Sequence, residues 1–244
     1  MNIVKRIVSS LTLLIIAVNA YAVTVEDFSK HQEFYNVKIS PDGKHLAVLV
    51  NDKGRKTLTF LETETFKVTH TLKGSSRDQA GQYFWVNNER VVVQVEQIRG
   101  SLELPLNYGE LFAVNYDGRK SRMIFGYRSK SGIALSGYAG FMLDNLEGDD
   151  KHILIRKQLM DRRNDILPDV TRLNVYNGRE KRIKRAPIPY SQFLTDHSGV
   201  PRFVSGIDKN SNNKVFYSKG KGEKWQPFGK EFIGDFTALG FTEN

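Results

Sequence analysis

Cysteine is absent from the chain, so no disulfide framework, thiolate metal site or lipid-attachment cysteine is possible. Histidine is sparse and scattered. His31, His45, His70, His152 and His197 show neither H-x-H nor H-E-x-x-H spacing, and each reads as a turn or surface residue rather than a ligand. A phosphate-cradling glycine loop is also missing: Gly220 and Gly222 sit in a lysine-rich turn between two apolar runs. Asp208 to Asn213 mimics the first half of a calcium loop. It lacks the glycine needed at the sharp turn, and Lys219 stands where the bidentate acid belongs, so it reads as a hairpin loop. No metal, cofactor or catalytic residue is expected from these motifs.

Long apolar runs are missing too, with one exception at the start. Lys5 and Arg6 precede an apolar stretch from Ile7 to Val18, and Ala20-Tyr21-Ala22 forms a small-x-small cleavage site. That order reads as a secretory signal peptide over residues 1–22, cut after Ala22. An uncleaved anchor would need about 20 apolar residues, more than this stretch offers. The mature chain is therefore expected to be periplasmic or secreted, with no stable membrane anchor. Loss of the signal lowers the formal charge from +9 by the charges of Lys5 and Arg6. The densest basic run is Arg179 to Arg185 (REKRIKR), directly after the Asn177-Gly178 turn. It reads as the solvated face of an outer strand, since like charges on an edge discourage aggregation; a polyanion site is the alternative. No nucleic-acid module is recognisable, and export makes nucleic acid a poor partner.

What the chain does have is a repeated pattern of short alternating strands. Residues 23–33 form a lead-in, with Thr24 to Asp27 offering a helix N-cap. Phe34 to Val50 then sets two apolar runs around Ser40-Pro41-Asp42-Gly43-Lys44, a tight-turn sequence. Further runs and turns follow, with Asp117-Gly118 and Asn177-Gly178 as hairpin turns. Gly74 to Gly81 reads as a polar connector, and Gln97 to Gly109 as a loop apolar enough to pack on its neighbour or line a pocket. Tyr83, Phe84 and Trp85 read as core aromatics, with a ligand platform as the alternative.

Four such units begin near Phe34, Tyr83, Gly137 and Ser191, a period of roughly 50 residues. Four strands per unit at that spacing predict an all-β fold, a partial β-propeller of about four four-stranded antiparallel blades plus the start of a fifth. The incomplete propeller spans 34–244, with blades at roughly 34–74, 83–126, 137–185 and 191–229 and the next starting at 232–244. A pair of β-sandwiches explains the strand number but not the repeat.

Several of these segments carry a resemblance. Ser40-Pro41-Asp42-Gly43-Lys44-His45-Leu46-Ala47 resembles the SPDGK-x-LA element of exported propellers, TolB-like ones included. Trp85 to Val93 and Gly109 to Gly118 resemble the W-V-x-x-x-R-x-V-V and G-E-L-x-A-V-x-x-D-G order in the N-terminal β-propeller of bacterial prolyl oligopeptidase-type serine peptidases. The similarity lies with their dipeptidyl and acylaminoacyl peptidase-like group. Leu173 to Gly178 and Asp196 to Arg202 resemble that family's V-Y-x-G and D-x-x-G-x-x-R elements. The resemblance implies a propeller that gates peptide access to an α/β-hydrolase active site.

Propellers of that family carry about seven or eight blades, and the catalytic domain follows them. The chain is therefore expected to be truncated before that domain. Ser131, Ser136, Ser198 and Ser205 each precede glycine without the G-x-S-x-G frame of the nucleophile. Serine peptidase activity is expected only where a hydrolase domain is present, with peptides as partners. The alternative is a stand-alone, TolB-like binding scaffold. Open blade edges predict self-association.

Overall fold

The computed structural model describes residues 33–100, 103–129, 137–160, 166–229 and 240–242. The signal sequence with Ala20 and Ala22, the lead-in through Gln32 with His31, residues 161–165, and all of the expected fifth unit except residues 240–242 lie outside the described residues.

The described residues form sixteen strands and no helix. The first sheet holds β1 (Phe34–Ile39), β2 (His45–Asp52), β3 (Arg55–Glu62) and β4 (Val68–Leu72). The second holds β5 (Asp78–Trp85), β6 (Arg90–Gln97), β7 (Leu106–Asn115) and β8 (Arg122–Phe125). The third holds β9 (Tyr138–Asp144), β10 (His152–Leu159), β11 (Asp169–Asn174) and β12 (Glu180–Arg185). The fourth holds β13 (Gln192–Thr195), β14 (Pro201–Ile207), β15 (Asn213–Tyr217) and β16 (Gln226–Phe228). Each sheet is an antiparallel meander in chain order. This is the expected partial propeller of four-stranded blades.

The first hairpin shows how side chains fix a turn. Ser40 Oγ donates to Asp42 Oδ1 at 2.7 Å, Lys44 N donates to the same oxygen, and His45 N donates to Ser40 Oγ at 3.0 Å. Gly43 takes the φ of 74° that the turn requires.

Strand alternation sends successive residues to different neighbours. On β6, Val91 and Val93 pack with Ala47, Leu58 and Phe60 of the first sheet. Val92 points the other way and packs with Ile153, Ile155 and Leu173 of the third. On β10, Leu154 turns from that cluster to Val170, Phe193 and Val204. Every interior sheet thus buries both faces, at up to about 1.5–3 kcal/mol per large side chain.

Two sequence expectations shift. The connector before Tyr83 is partly strand, because β5 begins at Asp78. A bulge at Gly81–Gln82 lets the β5–β6 ladder continue past residues that break the alternation. A Cβ at Gly81 would lie 3.0 Å from Gln94 O and 2.8 Å from Glu96 Oε1, which explains glycine there. The loop ending at Gly109 is also shorter than expected, since Leu106 to Gly109 belong to β7. Its Leu104 is 87% exposed.

Candidate functional site

The first strands of consecutive sheets lie side by side and frame a cleft. Trp85 Nε1 donates to Lys38 O at 3.1 Å, and Lys38 Nζ returns a hydrogen bond to Tyr83 O at 2.7 Å, joining β1 to β5. Tyr83 OH donates to Ala47 O at 2.6 Å. Burial holds this phenol well above its ordinary pKa, so it stays a donor. Asn145 Nδ2 donates to Trp85 O at 3.3 Å, tying the end of β9 to β5. Thr195 Oγ1 donates to Asp144 Oδ2 at 2.5 Å, tying β13 to β9.

The cleft between these strands has a volume of about 610 Å3. Tyr35, Lys38, Gln82 and Asn145 line it, with Lys56 and Glu96 as an ion pair at 3.2 Å on its wall. Gln79 Nε2 donates to the same Glu96 oxygen at 2.8 Å and fixes the carboxylate. The described lining contains amides, carboxylates and ammonium groups but no Ser, Thr or His. Its volume and mixed polarity suit passage or capture of a short polar chain.

The aromatic triplet divides. Tyr83 is 1% exposed and Trp85 is buried beside it, Trp85 edge-on to Phe60 with ring centroids 5.9 Å apart. Phe84 packs on the next interface. The trio is core, as its aromatic character suggested. Tyr83 and Phe84 also border the cleft.

Two charged networks escaped sequence reasoning. Arg90 is fully buried between the second and third sheets. Its guanidinium donates to Val175 O at 2.9 and 2.7 Å and to Asn115 Oδ1 at 2.8 Å, and it lies 4.5 Å from the Tyr176 ring centre. Burial without a carboxylate partner pushes its pKa down to about 10. Glu110, 1% exposed, is gripped by the Arg128 guanidinium, which also donates to Asp78 Oδ2 at 2.7 Å. The Glu110 hydrogen bonds raise Arg128, against the opposing effect of burial. Burial alone would raise Asp78, but Arg128 and Ser75 hold it below its ordinary value. The available signal was an Arg or Glu set inside an apolar strand, at Arg90-Val91-Val92 and Glu110-Leu111-Phe112. Both networks tie strands together, and neither lines the cleft between β1, β5 and β9.

The four described histidines take structural partners. His45 stacks on Tyr116 with centroids 3.7 Å apart, and His197 Nε2 lies 3.2 Å from Phe241 O. His70 lies parallel to Phe60. His152 Nδ1 sits 3.0 Å from Asp149 Oδ1, but its Nε2 faces the Asn174 amide at 3.3 Å rather than a hydroxyl. Among the described residues no cluster has three metal-ligating groups. Asp208 caps its own loop, accepting from Asn210 N and Asn212 N at 2.9 Å. The basic run Arg179 to Arg185 falls on β12, the outer edge of the third sheet.

No protein-family model matches the chain, and no curated protein matches it. Solved structures do share its fold. An acylaminoacyl peptidase bound to a peptide chloromethyl ketone superposes with a TM-score of 0.50 at 10% identity, over 87% of this chain and 35% of that one. A prolyl endopeptidase gives 0.48 at 14%, over 85% and 29%. TolB from Acinetobacter baumannii gives 0.43 at 15%, over 80% and 43%. The chain spans less than half the length of each of these proteins. At such identities the likeness bears on the fold alone, and the fold is that of a β-propeller.

Proposed function

We propose that this chain is the non-catalytic propeller portion of an exported prolyl oligopeptidase-like serine peptidase. Its role there is to admit short peptides to an α/β-hydrolase site and exclude folded proteins. The observation that carries this reading is the cleft framed by β1, β5 and β9. It is polar, fixed by hydrogen bonds between neighbouring strands, and its described lining holds no Ser or Thr. Steric exclusion needs a narrow, rigid passage and no reactive group, and a propeller supplies that from backbone edges alone. The ordered sequence elements from Ser40 to Arg202 support the same family. Export follows from the signal sequence, with Val23 as the first residue of the mature protein.

The experiment is activity profiling of the mature chain, residues 23–244. We expect no turnover of aminoacyl or dipeptidyl reporters and no labelling by a fluorophosphonate serine probe. Turnover that survives further purification would overturn the non-catalytic assignment. Mass spectrometry of the exported protein checks the cleavage site: an N-terminus other than Val23 would contradict cutting after Ala22.

A further inference from the structure

We propose that the groove between the third and fourth sheets binds an acidic, extended peptide segment, which lies along the free edge of β12. This site is separate from the cleft framed by β1, β5 and β9 and does not depend on the peptidase reading.

The groove has a volume of about 560 Å3. Four consecutive residues of β12, Lys181 to Lys184, border it, and the turn Gly220 to Gly222 borders it from the fourth sheet. A strand alternates its side chains between two faces, so a groove bordered by consecutive residues is bordered by the backbone edge itself. β12 is the outermost strand of its sheet, with β11 on one side and no strand of the described residues on the other. One contact already uses this edge: Trp225 Nε1 donates to Arg185 O at 2.7 Å. The edge therefore accepts hydrogen bonds from outside its own sheet. A bulge makes Ile183 the extra residue of the β11–β12 ladder, and Ile183 is exposed.

Charge and the strand edge decide the occupant. Lys181 and Lys221 are exposed and make no ion pair among the described residues. The Lys184 ammonium rests 3.8 Å from the Trp225 ring centre and donates to Ser218 Oγ at 2.5 Å, so a hydroxyl and a ring hold it rather than a carboxylate. Of the two acids at the groove, Asp149 is already engaged by Arg172 and His152, and Glu147 faces Lys181, Arg182, Lys184 and Lys221. An extended acidic peptide matches both features: its backbone pairs with the strand edge and its acidic side chains meet the lysines. An anionic lipid headgroup or a sulfated glycan offers charge but no strand edge to pair.

The test is fluorescence anisotropy with a labelled peptide of alternating Glu and Val, added to the intact mature chain at low salt. We expect saturable binding that weakens as salt rises. The double variant Lys181→Glu, Lys221→Glu should lower affinity by about tenfold or more, with an unchanged thermal midpoint because both side chains are exposed. The same peptide methylated at alternate backbone nitrogens should lose affinity by a similar factor. Absence of saturable binding, equal binding of the methylated peptide, or preferential binding of heparin or phosphatidylglycerol vesicles would each overturn the proposal.

Discussion

Single residues hold the sheets to one another, and their effects are separable. Arg90 closes the junction between the second and third sheets through Val175 O and Asn115 Oδ1. Arg90→Ala should cost about 3–5 kcal/mol, from the acceptors Val175 O, Asn115 Oδ1 and Lys120 O left unpaired, at about 1–3 kcal/mol for each one buried, and lost packing on Tyr176. Arg90→Lys should recover only part, because a point charge cannot reproduce the fork. Chemical denaturation of both variants checks this; a loss under about 1 kcal/mol for alanine would contradict it. Gly109, at φ 72°, has Ala139 Cα and Gly140 N each 2.5 Å from where a Cβ would lie. Gly109→Ala should therefore destabilise by about 3 kcal/mol or more, read as a lowered thermal midpoint.

Asp149 carries a pH signature. Burial opposes its ionisation, but His152 and Arg172 more than offset that and hold its pKa at about 2, below the ordinary 3.8. A carboxylate depressed on folding adds stability that is complete above the unfolded pKa and is lost as pH falls through the folded one. The loss should fall between pH 3.8 and 2 and amount to about 1–2 kcal/mol, allowing for solvent screening. Asp149→Asn should flatten that limb of the stability curve; an unchanged limb would reject the assignment.

At the scale of elements, turns were legible and bulges were not. Ser40 to Lys44 and Asn177-Gly178 announce hairpins because their backbones need residues that tolerate tight φ or bond their own chain. The unbroken run Val91, Val92 and Val93 suits a strand buried on both faces, and each face found a sheet. The bulge at Gly81–Gln82 hid the first half of β5, since an extra residue breaks the period that reveals a strand. The cleft was invisible for a different reason. Tyr35, Gln82, Glu96 and Asn145 are ordinary polar residues, and only the sheet order brings them together. Arg128 and Glu110 likewise stand eighteen positions apart, with nothing in their spacing to join them.

For the whole molecule, the outer face of the first sheet is the exposed one. Val37 and Ile39 of β1 are each 55% exposed, and Val68 of β4 is 53% exposed. The opposite face of the same sheet buries Leu58 and Phe60 completely. On the outward face of the fourth sheet, Phe203 meets Phe228 edge-on at 5.3 Å and Phe241 at a tilt at 5.8 Å. An apolar sheet face in water associates, so the mature chain should self-associate through β1. Val37→Lys with Ile39→Lys should shift sedimentation toward monomer while leaving the thermal midpoint nearly unchanged. Persistence of the larger species in that variant would place the contact elsewhere.

The central proposal is that this chain filters substrate for an α/β-hydrolase site of the same protein. The most direct measurement is made on the protein encoded by the gene's full reading frame. Its hydrolysis of a dipeptidyl reporter is compared with its hydrolysis of the same scissile sequence inside a folded protein, beside residues 23–244 alone. The expected result is turnover of the short reporter only, by the full-frame protein only. Turnover of the reporter by residues 23–244, equal cleavage of the folded protein, or no hydrolysis by the full-frame protein would contradict the account.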